Sequence, residues 1–158
     1  MTLRKIDRSN WRDAIELKVA PGQESFVSSP VKSLAAAFVR QHGDHFEYVP
    51  MGIYDGERMV GYVAMLCDAQ TADNYWIDDI MIDARWQGRG YGRAAVCETV
   101  RLMLRAYPRC ETVKLGCHRM NTRASALYLS IGFRLTGEFD ANGQPQYALS
   151  GPAMAAWR

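Results

Sequence analysis

Gln87-Gly88-Arg89-Gly90-Tyr91-Gly92-Arg93 decides how this chain is read. The run lies between an apolar, strand-like segment, Tyr75 to Asp83, and a strongly helical one, about Arg93 to Ala106. Glycines at 88, 90 and 92 open backbone conformations closed to residues with side chains and let N–H groups approach a ligand. The helix that follows adds the positive end of its dipole, and Arg85, Arg89 and Arg93 bring full charges at regular spacing. The occupant this pattern implies is a phosphate-bearing small molecule. A dinucleotide fingerprint G-x-G-x-x-G begun at Gly88 requires glycine at 93, where the chain has Arg93, and the phosphate loop G-x-x-x-x-G-K-[ST] has no match. The pattern that fits is Q-x-x-G-x-G, carried by Gln87, Gly90 and Gly92.

Working outward, the 158 residues suit one domain, 1–158, large enough to bury a core without disulfides or metal. A hydrophobic fraction of 48% and a charged fraction of 23% belong to a globular chain, neither disordered nor membrane-spanning. No segment approaches the ~20 apolar residues of a transmembrane helix, and Met1 to Asp7 lacks a signal-type apolar stretch, so a cytoplasmic location is expected. A net charge of +2, from 19 Lys plus Arg against 17 Asp plus Glu, creates no global field for nucleic acid. Cys67, Cys97, Cys110 and Cys117 form no C-x-x-C pair, and His42, His45 and His118 show no metal spacing. Core thiols and no metal are expected.

The periodicity predicts a strand over Thr2 to Ile6, a helix with Trp11, Ala14 and Ile15 inward, and a second helix opened by Ser29 and Pro30. That second helix carries Val31, Leu34, Ala35 and Phe38 on one stripe, with Gly43 as its stop. Three strands follow, Tyr48 to Tyr54, Met59 to Cys67 and Tyr75 to Asp83, as an antiparallel meander. The helix after the glycine loop aligns Cys97, Val100, Leu104 and Tyr107 and ends at Pro108. A strand over Thr112 to Cys117, a helix over Asn121 to Leu129 and a hairpin around Asn142-Gly143 complete the chain. Strand–helix–strand around the glycine loop implies a right-handed crossover and one parallel pair in an otherwise antiparallel sheet.

With Ile77-Asp78-Asp79-Ile80-Met81-Ile82-Asp83 before the loop and Asn121 and Ala126-Leu127-Tyr128 after it, the chain resembles the GNAT family of acetyl-CoA-dependent N-acetyltransferases, from roughly Thr2 to Tyr147. The resemblance implies the GNAT fold: α+β in α/β/α layers, a mixed, mostly antiparallel sheet of six to seven strands with a parallel central pair, and four helices on both faces. Acetyl-CoA is then the co-substrate. Its pyrophosphate falls to Gln87, Gly88, Arg89, Gly90, Tyr91, Gly92 and Arg93, its pantetheine arm to Asn121 and to the backbone of Ile80, Met81 and Ile82, which can also polarise the thioester.

Acetyl transfer to an amine poses two proton problems. An alkyl ammonium of pKa about 10.4 presents its neutral form at pH 7 only at a cost of roughly 4 kcal/mol, which a carboxylate base helps overcome, and the departing thiolate needs an acid. By its match to the family motif, Tyr128 is the general acid. Asp78 and Asp79 are adjacent on a strand and point to opposite faces unless a bulge intervenes. Alternation groups Asp78 with Trp76, Ile80 and Ile82, and the resemblance places Asp78 as the base. The stretch Leu17 to Val27 with Ser33-Leu34-Ala35 is similar to bacterial diamine and spermine/spermidine acetyltransferases, implying a cationic acceptor. Glu24, Phe26, Asp78, Asp79 and Asp140 are its candidate contacts, with Glu138, Tyr54 and Trp76 as further ones.

The leading expectation is acetylation of a small polyamine such as spermidine by direct attack, in a homodimer without nucleic-acid or membrane partners. The alternatives are an aminoglycoside, an amino acid, or a protein lysine or N-terminus as acceptor, a non-catalytic CoA-binding sensor, and an RNA-binding domain using Arg85, Arg89, Arg93, Arg101 and Arg105. The tail Gly151 to Arg158 matches no pattern.

Overall fold

The computed structural model describes residues 1–157; Arg158, the last residue of the unmatched tail, lies outside them. Seven strands, β1 (Thr2–Lys5), β2 (Glu47–Asp55), β3 (Arg58–Cys67), β4 (Tyr75–Ile82), β5 (Thr112–Gly116), β6 (Arg134–Phe139) and β7 (Pro145–Ser150), form one sheet in the order β1-β2-β3-β4-β5-β7-β6. The helices are α1 (Trp11–Ile15), α2 (Pro30–Phe38), α3 (Tyr91–Ala106), α4 (Thr122–Ile131) and α5 (Gly151–Ala155). Among the described residues only β4 and β5 run parallel, because α3 carries the chain back before β5 begins. The four helices expected become five: α5 forms in the unmatched tail, opened by Pro152 and anchored by buried Met154.

Two cores sandwich the sheet. On one face α3 and α4 bury Val96, Val100, Met103 and Tyr128 against Val60, Val63, Ile77, Leu115 and Phe133. On the other, α1 and the segment after it bury Ala14 and Leu17 against Tyr54, Met59, Tyr62, Ala64 and Met81. The inward stripe of α3 is Ala95, Val96, Thr99, Val100 and Met103, rotated from the expected one so that Cys97 and Leu104 are only partly covered. Thr99 can turn inward because its hydroxyl donates to the Ala95 carbonyl at 2.8 Å.

A similar exchange corrects α2. Ser29 caps it by accepting from the Lys32 N–H and Pro30 opens it, as the sequence implies. Yet Val31 is 56% and Phe38 89% exposed, and beyond the opening Pro30 the residue turned fully inward is Ser33. Its hydroxyl meets Tyr48 and Tyr62, which removes the cost of burying it. The helix ends at Phe38, before Gly43, where Arg40 takes a left-handed φ of 51°.

The largest departure from simple alternation lies in β4. Ala64 pairs with Asp79 and Met65 with Ile77, so Asp78 is the extra residue of a β-bulge. Beyond it the parity reverses: Ile80 and Ile82 pack on the α3 side and Met81 on the α1 side. Asp78 therefore does not share a face with Ile80 and Ile82. Both aspartates instead face the α1–α2 layer, Asp78 meeting Tyr48 and Asp79 the backbone of Ser28.

Asp83 ties this strand to both neighbours. Its buried carboxylate accepts from the N–H groups of Lys18 (3.1 Å) and Arg85 (3.0 Å) and from the Arg85 guanidinium (2.7 Å). Burial pushes its pKa up, but those hydrogen bonds outweigh it and hold the carboxyl below its ordinary range. Asp83→Ala is expected to cost about 1–3 kcal/mol in urea unfolding. A carboxyl with a depressed folded-state pKa stabilises above its unfolded value of about 3.9 and loses that contribution as pH falls through the folded one. The gap between variant and wild type should thus be constant near neutrality and shrink in strong acid; a gap independent of pH contradicts this assignment.

Candidate active site

The parallel ladder between β4 and β5 is short: Tyr75 pairs with Val113 and Trp76 with Lys114, and no further pair follows. Past Trp76 the strands diverge around a cleft of about 1570 Å³. One wall is the β4 stretch Trp76 to Ile82, the other the end of β5 with Gly116, Cys117 and His118. The side of β4 facing away from β3 lies along it, so backbone polar groups near Ile80, Met81 and Ile82 are available to an extended ligand.

At one end the N-termini of α3 and α4 meet. Gly88 (φ 78°) and Gly90 (φ 85°) take left-handed conformations, and Gly90 is the N-cap of α3 with no side-chain cap bond. Gly92, by contrast, is helical; a Cβ there would make ordinary contact with Leu127, so its conformation does not require glycine. Neither helix has an acidic residue in its first turn, and each has an arginine there, Arg93 in α3 and Arg123 in α4. A cation at a helix N-terminus opposes the dipole, an arrangement that an anion between the two reverses.

The remaining arginines are engaged elsewhere. Arg85 pairs with Asp83, and Arg89 lies over the Trp86 ring at 4.9 Å, neither lining the cleft. Gln87 lines the cleft with its amide already used: Nε2 donates to the Ile82 carbonyl (3.0 Å) and to Gln23 (2.8 Å). Tyr91 donates its hydroxyl to Asp55, and Arg93 also binds Ser130. Asn121, which lines the cleft, caps α4 by accepting from the Ala124 N–H at 3.2 Å, a bond that uses its carbonyl oxygen and not its NH2 group.

Deeper in, Tyr128 is 7% exposed and lines the cleft. Burial first, then Cys117 and Tyr147, raise its phenol pKa, so it stays protonated. Cys117 beside it is pushed up to about 11 by burial, which makes it a poor nucleophile at neutral pH. At the far end stand Asp78, its side chain 25% exposed, and the more deeply buried Asp79. Desolvation and then Asp78 raise the Asp79 pKa above the usual carboxylate range.

The other candidate contacts surround this end. Phe26 packs on His118 (centroids 5.2 Å apart), bridging the α1–α2 loop and the β5–α4 loop over the cleft. Glu24 accepts from the Gly22 N–H, and Asp140 from those of Asn142 and Gln144, both on the rim. Trp76 lines the cleft, whereas Tyr54 is buried in the α1-side core and Glu138 binds Gln146 away from it. Sequence reading missed Arg123, Ser33, His42 and Tyr48. The first had a signal, a basic residue two positions after a helix cap; the others are brought together from α2, the segment after it and β2, and no local pattern marks them. Among the described residues no cluster of His, Cys, Asp or Glu is placed to hold a metal, and no helix is long and apolar enough to cross a membrane.

Comparison with known proteins agrees with this geometry. The family model described as acetyltransferase (GNAT) family matches residues 11–133. The spermine/spermidine N(1)-acetyltransferase of Bacillus subtilis (strain 168) is 28% identical over 149 residues, 91% of this chain and 94% of that protein. A probable spermine N(1)-acetyltransferase of Bacillus subtilis subsp. natto (strain BEST195) is 27% identical over the same shares. The fold is also that of spermidine N-acetyltransferase from Vibrio cholerae, solved in complex with CoA and spermine, with a TM-score of 0.70 at 17% identity over 98% of this chain and 97% of that one. The chain belongs to the GNAT family of acetyltransferases and is an N-acetyltransferase.

Proposed function

We propose that this enzyme transfers the acetyl group of acetyl-CoA to a primary amine of a small cationic acceptor, a polyamine such as spermidine, by direct attack. The observation that carries the reading is the polarity of one cleft: two arginine-bearing helix N-termini at one end, two adjacent aspartates at the other, and an open strand edge between. The first suits a pyrophosphate, the second an ammonium, and the edge an extended pantetheine arm. The polyamine substrates named for the Bacillus relatives support the same acceptor class.

Within this reading the residues divide by position. Backbone N–H groups of the glycine loop with Arg93 and Arg123 hold the pyrophosphate, and Asn121 with the Ile80–Ile82 edge holds the arm. Tyr128, kept protonated by its burial, donates to the departing sulfur. The Asp78–Asp79 pair takes up the ammonium and its proton. The inert Cys117 favours direct attack over an acyl-cysteine route. Phe26, Glu24 and Asp140 line the entrance for the rest of the acceptor.

An acetylation assay across polyamines, aminoglycosides, amino acids and peptides tests this. Turnover is expected with spermidine or spermine, and turnover with peptides alone removes the polyamine. Tyr128→Phe is expected to lower kcat roughly ten- to a thousandfold with acetyl-CoA affinity kept, as for a lost general acid; an unchanged kcat returns Tyr128 to packing. Arg123→Ala should raise the KM for acetyl-CoA about tenfold or more, the worth of a charged hydrogen bond, without changing that for the amine. Equal effects on both substrates would mean the cleft itself had changed.

A further inference from the structure

Beside the two aspartates, side chains from three elements join in one hydrogen-bonded chain. Tyr62 of β3 donates to Ser33 Oγ of α2 at 3.0 Å, Ser33 Oγ lies 2.7 Å from Tyr48 Oη of β2, and Tyr48 donates to Asp78 Oδ2 at 3.0 Å. A hydroxyl carries one proton, so with Tyr62 serving Ser33 and Tyr48 serving Asp78, the Ser33 proton is left for Tyr48. Burial raises the pKa of both phenols well above its usual value, and they act as donors, not as a proton relay. The His42 ring is stacked on Tyr48, centroids 5.9 Å apart and planes 5° from parallel, with Nε2 3.9 Å from the same Asp78 oxygen. Tyr48 is therefore clamped in position, and its proton is aimed at one of two adjacent carboxylates.

We propose that Tyr48, held by Ser33 and Tyr62, is a positioning residue that gives the two aspartates different tasks: it fixes Asp78 as the anchor of the acceptor ammonium and leaves Asp79 to take a proton from it. The proposal rests on the amine-acetyltransferase reading above. Its physical basis is the bulge, which puts both carboxylates on one face where they would otherwise compete for one cation. Asp78 is the better solvated of the two and accepts the phenol's hydrogen bond as a carboxylate, so it suits a standing charge partner. Asp79 is desolvated, and a desolvated carboxylate gains from becoming neutral. The protons balance: the ammonium gives one to Asp79 and a second, by way of Tyr128, to the sulfur, while the C–N bond forms and the C–S bond breaks. Asp79 returns its proton to solvent, so ammonium and thioester become amide, thiol and H⁺.

The test is steady-state kinetics with the amine that the wild type turns over best. Tyr48→Phe keeps the stacked ring and loses only the donor. It should raise the KM for the amine about tenfold, the worth of a hydrogen bond to a charged group, with kcat and the KM for acetyl-CoA nearly unchanged. Ser33→Ala should move the amine KM in the same direction by less, and it carries the test if Tyr48→Phe proves unfolded by circular dichroism. Asp78→Asn should act on KM, whereas Asp79→Asn should lower kcat about a hundredfold or more. A fall in kcat at constant KM for Tyr48→Phe, or no change in either constant, overturns the positioning role while the acetyltransferase reading stands. A wild type inactive on every amine overturns that reading and this proposal with it.

Discussion

The site exists because β4 and β5 stop pairing. A parallel ladder satisfies backbone groups continuously for as long as it runs, and this one runs for two registered pairs, Tyr75 with Val113 and Trp76 with Lys114. Beyond them each strand has polar groups on its inner edge with no strand to meet them. Such groups must face water or a ligand, so the divergence cannot be filled by apolar side chains and remains a cleft. The antiparallel partners on the outer sides, β3 for β4 and β7 for β5, continue past the split and keep both walls paired. The bulge at Asp78, two residues past the last parallel pair, then turns two carboxylates toward the α1–α2 layer.

Electrostatics along this cleft run against what stability alone would choose. Acidic residues stabilise helix N-termini by about 0.3–1 kcal/mol, yet α3 and α4 each have an arginine and no acid in the first turn. At the opposite end Asp79 is buried beside Asp78, which raises its pKa through desolvation and like-charge repulsion. The fold accepts an unfavourable charge of one sign at each end. Ligands of opposite sign, an anion at the arginines and a cation at the aspartates, relieve both at once. Polarity of this kind is an argument for two ligands bound end to end, which a single nucleotide or a nucleic-acid strand does not provide.

Much of this was legible in the sequence, and the remainder was hidden for identifiable reasons. The glycine motif placed the helix N-terminus correctly, because Gly88 and Gly90 do need positive φ, and strand–helix–strand around it implied the one parallel pair. Alternation failed at β4, since a bulge is a property of two strands and nothing within Trp76-Ile77-Asp78-Asp79-Ile80 announces it. Helical stripes failed where a polar residue was satisfied inside: Thr99 through the Ala95 carbonyl, Ser33 through two tyrosines distant in sequence. Arg85 looked like part of the anion site by spacing alone, but a buried Asp83 two residues earlier is the nearer partner. Arg123 belongs to the site by tertiary contact, its guanidinium 3.9 Å from where a Cβ on Gly88 would stand.

The α1–α2 loop joins the two ends of the cleft. It is held to the rest of the site at three points of different character: Gln23 to Gln87 beside the glycine loop, Phe26 to His118 across the cleft, and the Ser28 N–H to Asp79 at 3.3 Å. The first contact reads the anion end, the last the carboxylate that is desolvated. A loop fixed only at the rim could swing without consequence for the reacting groups. This one cannot leave its place without exposing Asp79 to water, which would remove the desolvation that raises its pKa. The segment that covers this end of the cleft thereby also sets the basicity of the carboxylate beneath it, and the two properties vary together.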